Sequence, residues 1–265
     1  MSAILKLNNS GPDVAELQRA LQAAGFNPGS IDGFFGNGTE AAVLAFQRSE
    51  GLAADGIVGP KTASSLGLNA MPSVPSAIPN VTIAVVSTMF PVTPLGNIKL
   101  NLPVVLNSLA SASLADKMMV LMALGTIRAE TESFLPISEG RSRFNTSPSG
   151  HPFDLYDNRK DLGNTGPTDG ERFRGRGFIQ LTGRDNYTRY SKEIGEDLVT
   201  NPESANDPVI AAKLLARFIA DRERPIREAL AENDLATARR LVNGGSNGLN
   251  RFTDAFQKGM QLIPD

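Results

Sequence analysis

The most constraining feature of the chain is an eight-residue pattern, D-G-x-x-G-x-x-T, that occurs twice near its beginning. The two copies are "DGFFGNGT" (32–39) and "DGIVGPKT" (55–62). In each copy Asp-Gly favours a tight turn, and the second glycine avoids steric strain in the backbone of that turn. The threonine is a candidate helix cap. The pattern therefore predicts short helices joined by two similar turns, within a small separate module.

The residues around these turns are typical of helices with one apolar face. Ser10 is a candidate N-cap, and Val14, Leu17 and Leu21 then recur at helical spacing. Residues 5–68 resemble the small peptidoglycan-binding module at the ends of many cell-wall hydrolases, through "VAELQRAL", "DGFFGNGT", "AVLAFQ" and "DGIVGPKT". Residue by residue these are turn and core positions, so the binding of peptidoglycan is implied by the resemblance alone.

The composition removes several kinds of catalytic site. The chain has no cysteine, no tryptophan and one histidine, His151. A cysteine nucleophile is excluded, and so is a zinc site with several Cys or His ligands. A Ser-His-Asp triad would depend on His151, for which a surface position is the simpler interpretation. We therefore expect no metal and no cofactor, and we expect carboxylates to be the acid and base of any enzymatic activity.

The segment "RFRGRGFIQLTG" (172–183) resembles at first sight an arginine-glycine sequence that binds nucleic acid. Two observations oppose that interpretation. The formal net charge is −2, whereas a nucleic-acid binder usually carries a basic domain. Phe178 and Leu181 would anchor the segment in a core, and disordered arginine-glycine tails lack such anchors. We predict no nucleic-acid partner, and we expect Arg174 and Arg176 to pair with carboxylates or backbone carbonyls.

The N-terminus, "MSAILKLNNSGPD", does not have the pattern of a secretion signal, and no apolar run approaches the length of a membrane span. We therefore expect a protein made in a cytoplasm without a signal peptide. We also expect no stable insertion into a membrane, and a monomer.

A proline-rich stretch, "NAMPSVPSAIPN" (69–80), follows the module and is typical of a semi-stiff connector. Beyond it the pattern is mostly helical, with no long β alternation. We predict a mainly α fold with three parts: a three-helix peptidoglycan-binding domain (1–68), a linker (69–80), and a larger α-rich, lysozyme-like domain with long loops (81–265).

Several helix boundaries in the larger domain can be predicted. Residues 113–116 fit a capping box, after which apolar residues recur on one face up to Ala129. Asp207 and Pro208 begin a helix that Pro225 is expected to close. Two more helices are expected from about 233 to 242 and from about 250 to 262.

Glu130 and Glu139 are the candidate catalytic carboxylates. Glu130 lies near the end of an apolar helix, beside Ile127 and Phe134, and an apolar wall disfavours a charged carboxylate, which suits a general acid. Glu139 follows nine residues later, about 13.5 Å along an unbroken helix. Because Pro136 cannot continue a helix without cost, we expect the helix to end around residues 134–136. Glu139 could then fold back to face Glu130 across a groove.

Two carboxylates across a groove can hydrolyse a glycosidic bond: one protonates the leaving oxygen, and the other activates water or attacks the sugar. From their spacing alone, Glu130, Glu132 and Glu139 are better interpreted as ordinary surface charges. Long irregular loops, predicted here over residues 136–176, usually line a functional site.

Three segments resemble the family 19 chitinase-like hydrolases, a group that includes phage endolysins. They are "IRAETESF" (127–134), "YDNRKDLGNTGPTDGERFRGRGFIQLTGRDNY" (156–187) and "LVNGGSNGL" (241–249), which occur in the family's order. The resemblance covers most of residues 115–250, and "GRGFIQLTG" is its most specific part.

By this resemblance, Glu130 matches the general acid and Glu139 the second carboxylate of the phage-type branch. Gln180 and Thr182 match residues that line the cleft, and Asn243 matches a substrate-contacting asparagine. Relatives often have His before the acid and a Gly pair after it, where this chain has Ala129 and Glu132-Ser133. The segment "ISEGRSRF" around Glu139 also matches less well. The family is described as inverting, which implies attack by water and a separation of about 6.5–9.5 Å between the carboxyl groups.

The leading hypothesis is a peptidoglycan hydrolase of the endolysin type, which cuts β-1,4 glycosidic bonds of the cell-wall glycan, most simply as a muramidase. The absence of a signal peptide favours a phage-type endolysin that is stored in the cytoplasm and reaches the wall through a separate membrane pore. A bacterial effector that is exported by other means is also consistent with the sequence. A glucosaminidase or a chitinase would use the same catalytic segments. A protein that binds the wall without cleaving it is the alternative from another functional class.

Overall fold

The computed structural model describes residues 5–68, 76–243, 245 and 247–264. The chain divides into two compact units, Met1–Pro75 and Ser76–Asp265. The described part is mainly helical, which confirms the predicted fold class, and its β pairing consists of isolated bridges. The linker predicted at 69–80 falls partly outside the described residues, so the predicted domain boundaries remain predictions.

Between residues 5 and 68 the first unit contains three helices, as predicted: α1 (Pro12–Ala23), α2 (Asn37–Ser49) and α3 (Pro60–Ser65). Their apolar faces enclose a small core that includes Val14, Leu17, Leu21, Phe35, Val43 and Phe46. The predicted helix caps are wrong. Each helix follows a glycine instead, and Ser10, Thr39 and Thr62 cap none of them.

Thr39 and Thr62 are buried, and the hydroxyl of each accepts a hydrogen bond from a glutamine side chain. The Nε2 of Gln18 donates to Thr39 Oγ1 at 3.1 Å and to Asp32 Oδ1 at 3.0 Å, and its Oε1 accepts from Gly33 N at 2.9 Å. Gln47 makes the equivalent bonds to Thr62, Asp55 and Gly56. The repeated sequence pattern is therefore one glutamine-centred turn that is built twice.

The second unit contains nine α-helices among its described residues: α4 (Ile83–Met89), α5 (Leu95–Ser111), α6 (Lys117–Glu130), α7 (Asp169–Arg172), α8 (Arg184–Ile194), α9 (Pro208–Ala220), α10 (Glu223–Ala231), α11 (Leu235–Asn243) and α12 (Leu249–Leu262). Short 3-10 helices cover Ile78–Asn80, Asp154–Tyr156, Lys160–Leu162 and Pro202–Asn206. Between α6 and α8 the chain is mostly irregular, as predicted for residues 136–176.

The centre of this unit is α6, in which every residue from Met119 to Ala129 is buried. The prediction of a single buried face is therefore too narrow, since other helices surround α6. Gly125 lets α12 approach closely, because a Cβ at this position would lie 2.8 Å from the ring of Phe252. The capping box predicted from Ser113 is wrong: Asp116 caps α6 by accepting from Met119 N at 3.2 Å.

Pro225 does not close the helix that begins at Pro208. That helix, α9, ends at Ala220, and Pro225 is the third residue of α10. Proline is tolerated there because the N–H groups of the first helical turn have no intrahelical partner. The helices predicted near 233–242 and 250–262 are confirmed as α11 and α12. Within the described residues, no helix combines the length and apolar character needed to cross a membrane.

Candidate active site

The helix that carries Glu130 ends at Glu130 itself, before the predicted end around residues 134–136. Glu132 and Phe134 both have positive φ, 42° and 57°, so the backbone reverses immediately after the helix. Three side chains from the α5 region hold this reversal by donating to carbonyl oxygens: Thr93 to Glu132, Asn97 to Ser133 and Asn101 to Phe134. Pro136 therefore follows the reversal and does not cause it.

Phe134 anchors the chain as it leaves α6. Its ring is buried and meets those of Phe90 and Phe178 edge to face, with centroid distances of 4.9 and 6.2 Å. Phe178 belongs to the "GRGFIQLTG" segment, so this aromatic contact connects that segment to the chain that follows Glu130.

Backbone hydrogen bonds hold residues 137–139 against residues 175–177. Glu139 N donates to Gly175 O at 2.7 Å, and Gly177 N donates to Ile137 O at 3.1 Å. Arg176 and Leu181 form a β-bridge immediately beyond this pairing. These bonds place Glu139 beside Gly175.

The carboxylate of Glu139 accepts hydrogen bonds from three donors. Asn145 Nδ2 and Tyr156 OH each donate to Oε1 at 2.9 Å, and Gly175 N donates to Oε2 at 3.3 Å. The approach is close, because a Cβ on Gly175 would lie 2.9 Å from Gln180 Oε1 and 3.3 Å from Glu139 Cβ.

Tyr156 is a permanent donor to Glu139. Burial raises the pKa of Tyr156 to about 12, and the charge of Glu139 and the hydrogen bond to it contribute to this rise. The phenol therefore keeps its proton throughout the neutral range and remains a hydrogen-bond donor to Glu139.

Gln180 and Thr182 are half-buried and adjoin this cluster. Gln180 adopts a positive φ of 53°, and its Nε2 donates to Ile137 O at 2.9 Å and to Gly177 O at 3.1 Å. Thr182 Oγ1 donates to Gln180 O at 2.8 Å. The structure thus brings Gln180 next to Glu139 and connects Thr182 through Gln180, while their contact with substrate remains a prediction.

Glu130 contacts a buried cation. Arg239, on α11, donates from Nη2 to Glu130 Oε1 at 2.7 Å and to Asn247 O at 3.1 Å. The side chain of Arg239 is 1% exposed and that of Glu130 is 15% exposed. The opposition of Glu130 and Glu139 across a groove remains a prediction, and the side chain of Asn243 lies outside the described part of the chain.

Three contact residues were missed at the level of sequence: Asn145, Tyr156 and Arg239. Tyr156 begins the longest segment of the family resemblance, which was a usable signal. Asn145 follows the segment that matches the family less well, and nothing in the sequence singles out Arg239 from its neighbour Arg240. The pairing predicted for Arg174 and Arg176 is confirmed, since both donate to Glu203 Oε1, at 3.1 and 2.6 Å.

Comparison with known families identifies two domains. Residues 155–229 match the family described as chitinase class I, and residues 10–66 match the putative peptidoglycan binding domain. One part of the chain is thus similar to a peptidoglycan-binding domain and another to a chitinase class I domain. The two-part resemblance seen in the sequence is thereby confirmed. Gln180 and Thr182 lie within the chitinase match, whereas Glu130, Glu139 and Asn243 lie outside it.

Two curated relatives illustrate the two domains. A glycosyl hydrolase family 19 domain-containing protein of Haemophilus influenzae is 36% identical over 98 residues, which cover 36% of this chain and 45% of the relative. The N-acetylmuramoyl-L-alanine amidase CwlM of Mycobacterium tuberculosis is 55% identical over 56 residues, 21% of this chain and 14% of the relative. The chain therefore spans less than half the length of either relative.

Among solved structures, that of a chitinase C mutant aligns with a TM-score of 0.50 at 22% identity. The alignment covers 70% of this chain and 79% of the chitinase. At this level of identity the likeness shows the fold of the larger unit.

Proposed function

We propose that this chain is a peptidoglycan hydrolase that acts on the bacterial cell wall. The peptidoglycan-binding domain would hold the wall, and the chitinase class I domain would cleave β-1,4 glycosidic bonds of its glycan, most simply as a muramidase. The observation that carries the proposal is the Glu139 carboxylate, held by Asn145, Tyr156 and Gly175 beside Gln180.

Glu139 is the proposed general base. Its three hydrogen bonds hold the carboxylate that would take a proton from the attacking water. They also fix the direction of its oxygens, since the donors come from two loops and a backbone amide.

Glu130 is the proposed general acid, which protonates the leaving oxygen. Its contact with Arg239 has a role after this transfer, because Glu130 then carries a negative charge that the guanidinium stabilises. The buried Arg239 also fixes the direction of the carboxyl group. Gln180 and Thr182 are proposed to bind sugar or water beside Glu139, and Asn243 is proposed to bind substrate.

The test is hydrolysis of purified peptidoglycan, measured as loss of turbidity. Glu130→Gln and Glu139→Gln should each slow clearing by about 10²–10⁴-fold, the range for loss of a general acid or base. Glu132→Gln is the matched control, since Glu132 is on the same segment, 39% exposed and paired with Arg251. Clearing by Glu130→Gln at the wild-type rate would refute the assignment of the acid. No clearing by the wild type would favour a wall-binding protein.

Mass spectrometry of the released fragments decides which bond is cleaved. Reducing-end N-acetylmuramic acid would identify a muramidase, and reducing-end N-acetylglucosamine a glucosaminidase. Free peptides would exclude both. A chitinase is the second candidate, because the family match is to chitinase class I. Faster release of sugar from chitin than from peptidoglycan would favour it.

A further inference from the structure

The residues that follow Glu139 form a compact turn around Asn145, which is completely buried. Asn145 Oδ1 accepts from Ser142 N at 2.8 Å, and its Nδ2 donates to Gly140 O and to Glu139 Oε1, both at 2.9 Å. Thr146 N donates to Ser142 O at 2.9 Å and closes the turn. We call residues 140–146 the Asn145 turn. One amide thus fixes both this turn and the proposed catalytic base.

Four side chains of the Asn145 turn are exposed: Arg141, Ser142, Arg143 and Phe144. Phe144 is 74% exposed, and among the described residues of the larger unit it is the one large aromatic side chain that is so exposed. The Arg143 guanidinium lies over its ring, 4.9 Å from the centroid. The ring thus offers an exposed apolar face on a turn whose backbone is held by hydrogen bonds.

The two arginines of this turn differ from the others near the site. Arg174 and Arg176 are neutralised by Glu203, and Arg159 pairs with Asp161. Neither Arg141 nor Arg143 has a carboxylate partner among the described residues. The turn that holds Glu139 through Asn145 therefore carries two guanidinium groups without a carboxylate partner in the described part of the chain.

We propose that the Asn145 turn recognises the peptide stems of peptidoglycan: Arg141 and Arg143 bind stem-peptide carboxylates, while Phe144 packs against a sugar ring. This inference rests on the proposed function and specifies its substrate. Peptidoglycan carries acidic peptides on its muramic acid residues, whereas chitin is an uncharged polymer of N-acetylglucosamine. Guanidinium groups bind carboxylates with two parallel hydrogen bonds, and they would therefore distinguish the two polymers.

The position of the turn supports this assignment. Asn145 contacts the Glu139 carboxylate directly. Phe144 precedes Asn145 in the chain, and the Cα atoms of neighbouring residues are about 3.8 Å apart, so Phe144 lies close to the proposed base. A stem peptide on a sugar bound at Glu139 would extend within reach of an arginine side chain. Because the turn is held by its own hydrogen bonds, little backbone ordering would oppose binding.

The test compares two substrates: soluble peptidoglycan strands that retain their stems, and the same strands after an amidase has removed them. The double variant Arg141→Glu/Arg143→Glu should lower the ratio of kcat/KM between the stem-bearing and the stripped strands by about tenfold, since two attractive contacts become repulsive. Lys99→Glu reverses one charge at an exposed position on α5, half the change made by the double variant, and should leave that ratio unchanged. Added salt should weaken the preference of the wild type for stem-bearing strands.

Phe144→Ala is a second variant, which tests the proposed contact with the sugar ring. It should raise KM for both substrates by a similar factor, because the sugar is common to both. A ratio that stays at the wild-type value in the arginine variant, while hydrolysis continues, would overturn this inference and leave the proposed function intact. Absence of hydrolysis of either substrate by the wild-type protein would overturn both.

Discussion

At the scale of single residues, Glu139 is notable because its donors come from different parts of the chain. Asn145 is six residues away, Tyr156 is 17 away and Gly175 is 36 away. Each donor removes a direction in which the carboxylate could turn. The position of the proposed base is therefore set by several loops together, and replacing one donor should disturb catalysis without unfolding the domain.

Tyr156→Phe tests this arrangement. Loss of the hydroxyl removes one hydrogen bond from Glu139, and such a bond to a charged group contributes about 1.5–3 kcal/mol. We expect kcat on peptidoglycan to fall at least tenfold while KM changes by less than about twofold, because the substrate contacts remain. Steady-state kinetics measures both constants.

The matched control is Tyr190→Phe. The hydroxyl of Tyr190 donates to Asp221 at 3.0 Å, on a different part of the domain. This variant should retain the wild-type kcat. Equal losses of kcat in the two variants would show that Tyr156 acts through stability alone.

The site was predictable only in part. Glu130, Glu139, Gln180 and Thr182 could be nominated because they lie in segments that resemble a family. The contacts of Glu139 could not, because they depend on how a loop of some 40 residues folds, and irregular backbone has no periodicity to read. The ion pair of Glu130 with Arg239 joins residues 109 positions apart. Spacing along a chain does not predict such a contact.

At the scale of helices, α6 and α12 pack through glycine. A Cβ on Gly125 would meet the ring of Phe252 at 2.8 Å, which is closer than carbon atoms normally approach. The aromatic ring is buried and has little room to move. The small residue at this position therefore sets the distance between the two helices.

Gly125→Ala should lower the free energy of unfolding by about 1–3 kcal/mol, the usual cost of overpacking a core. Gly96→Ala is the control, since Gly96 is also helical and an added methyl group there would meet nothing within 4 Å. That change should leave stability equal or slightly higher, because alanine favours helix. Chemical denaturation of both variants measures the difference, and a Gly125→Ala protein as stable as the wild type would contradict the packing argument.

Helices were predicted more reliably than their ends. The apolar periodicity of α6, α9, α11 and α12 was sufficient to place them. The end of α6 was misplaced because Thr93, Asn97 and Asn101 supply partners for the reversing backbone, and these residues are distant in sequence. The threonine caps of the first unit failed for a related reason, since Gln18 and Gln47 use those hydroxyls for the turns.

At the scale of the whole molecule, all three tyrosines resist ionisation. Burial raises the pKa of Tyr156 and of Tyr187 to about 12, and it also raises the pKa of Tyr190. An unfolded tyrosine has a pKa of about 10. Between these values the folded chain holds protons that the unfolded chain releases, so stability falls as the pH rises from about 10 towards 12.

Alkaline titration tests this, with tyrosinate absorbance and helical circular dichroism recorded together. We expect little tyrosinate at pH 10 and then ionisation that accompanies the loss of helix. A full step of absorbance centred at pH 10, with the helices intact, would contradict the burial of these side chains. Tyr156→Phe should reduce the final amplitude by about one third, because the chain has three tyrosines.

The two-domain composition of the chain was predictable, because each domain has its own short motifs. The mainly α fold was predictable because apolar residues recur at helical spacing in most of its helices. The boundary between the domains was not fixed as firmly, since residues 76–80 lie in the proline-rich stretch and yet Ala77 is buried and donates to Ala115 O at 2.8 Å. A proline-rich composition therefore indicates that a connector is present, but it does not give the residues at which the connector begins and ends.

The burial of α6 bears on how this protein would withstand heat. The proposed acid is the last residue of the helix that the rest of the larger unit surrounds. Loosening of surface loops on warming would leave that helix in place, because its neighbours must separate before it can move. The position of Glu130 should therefore survive until the larger unit melts as a whole.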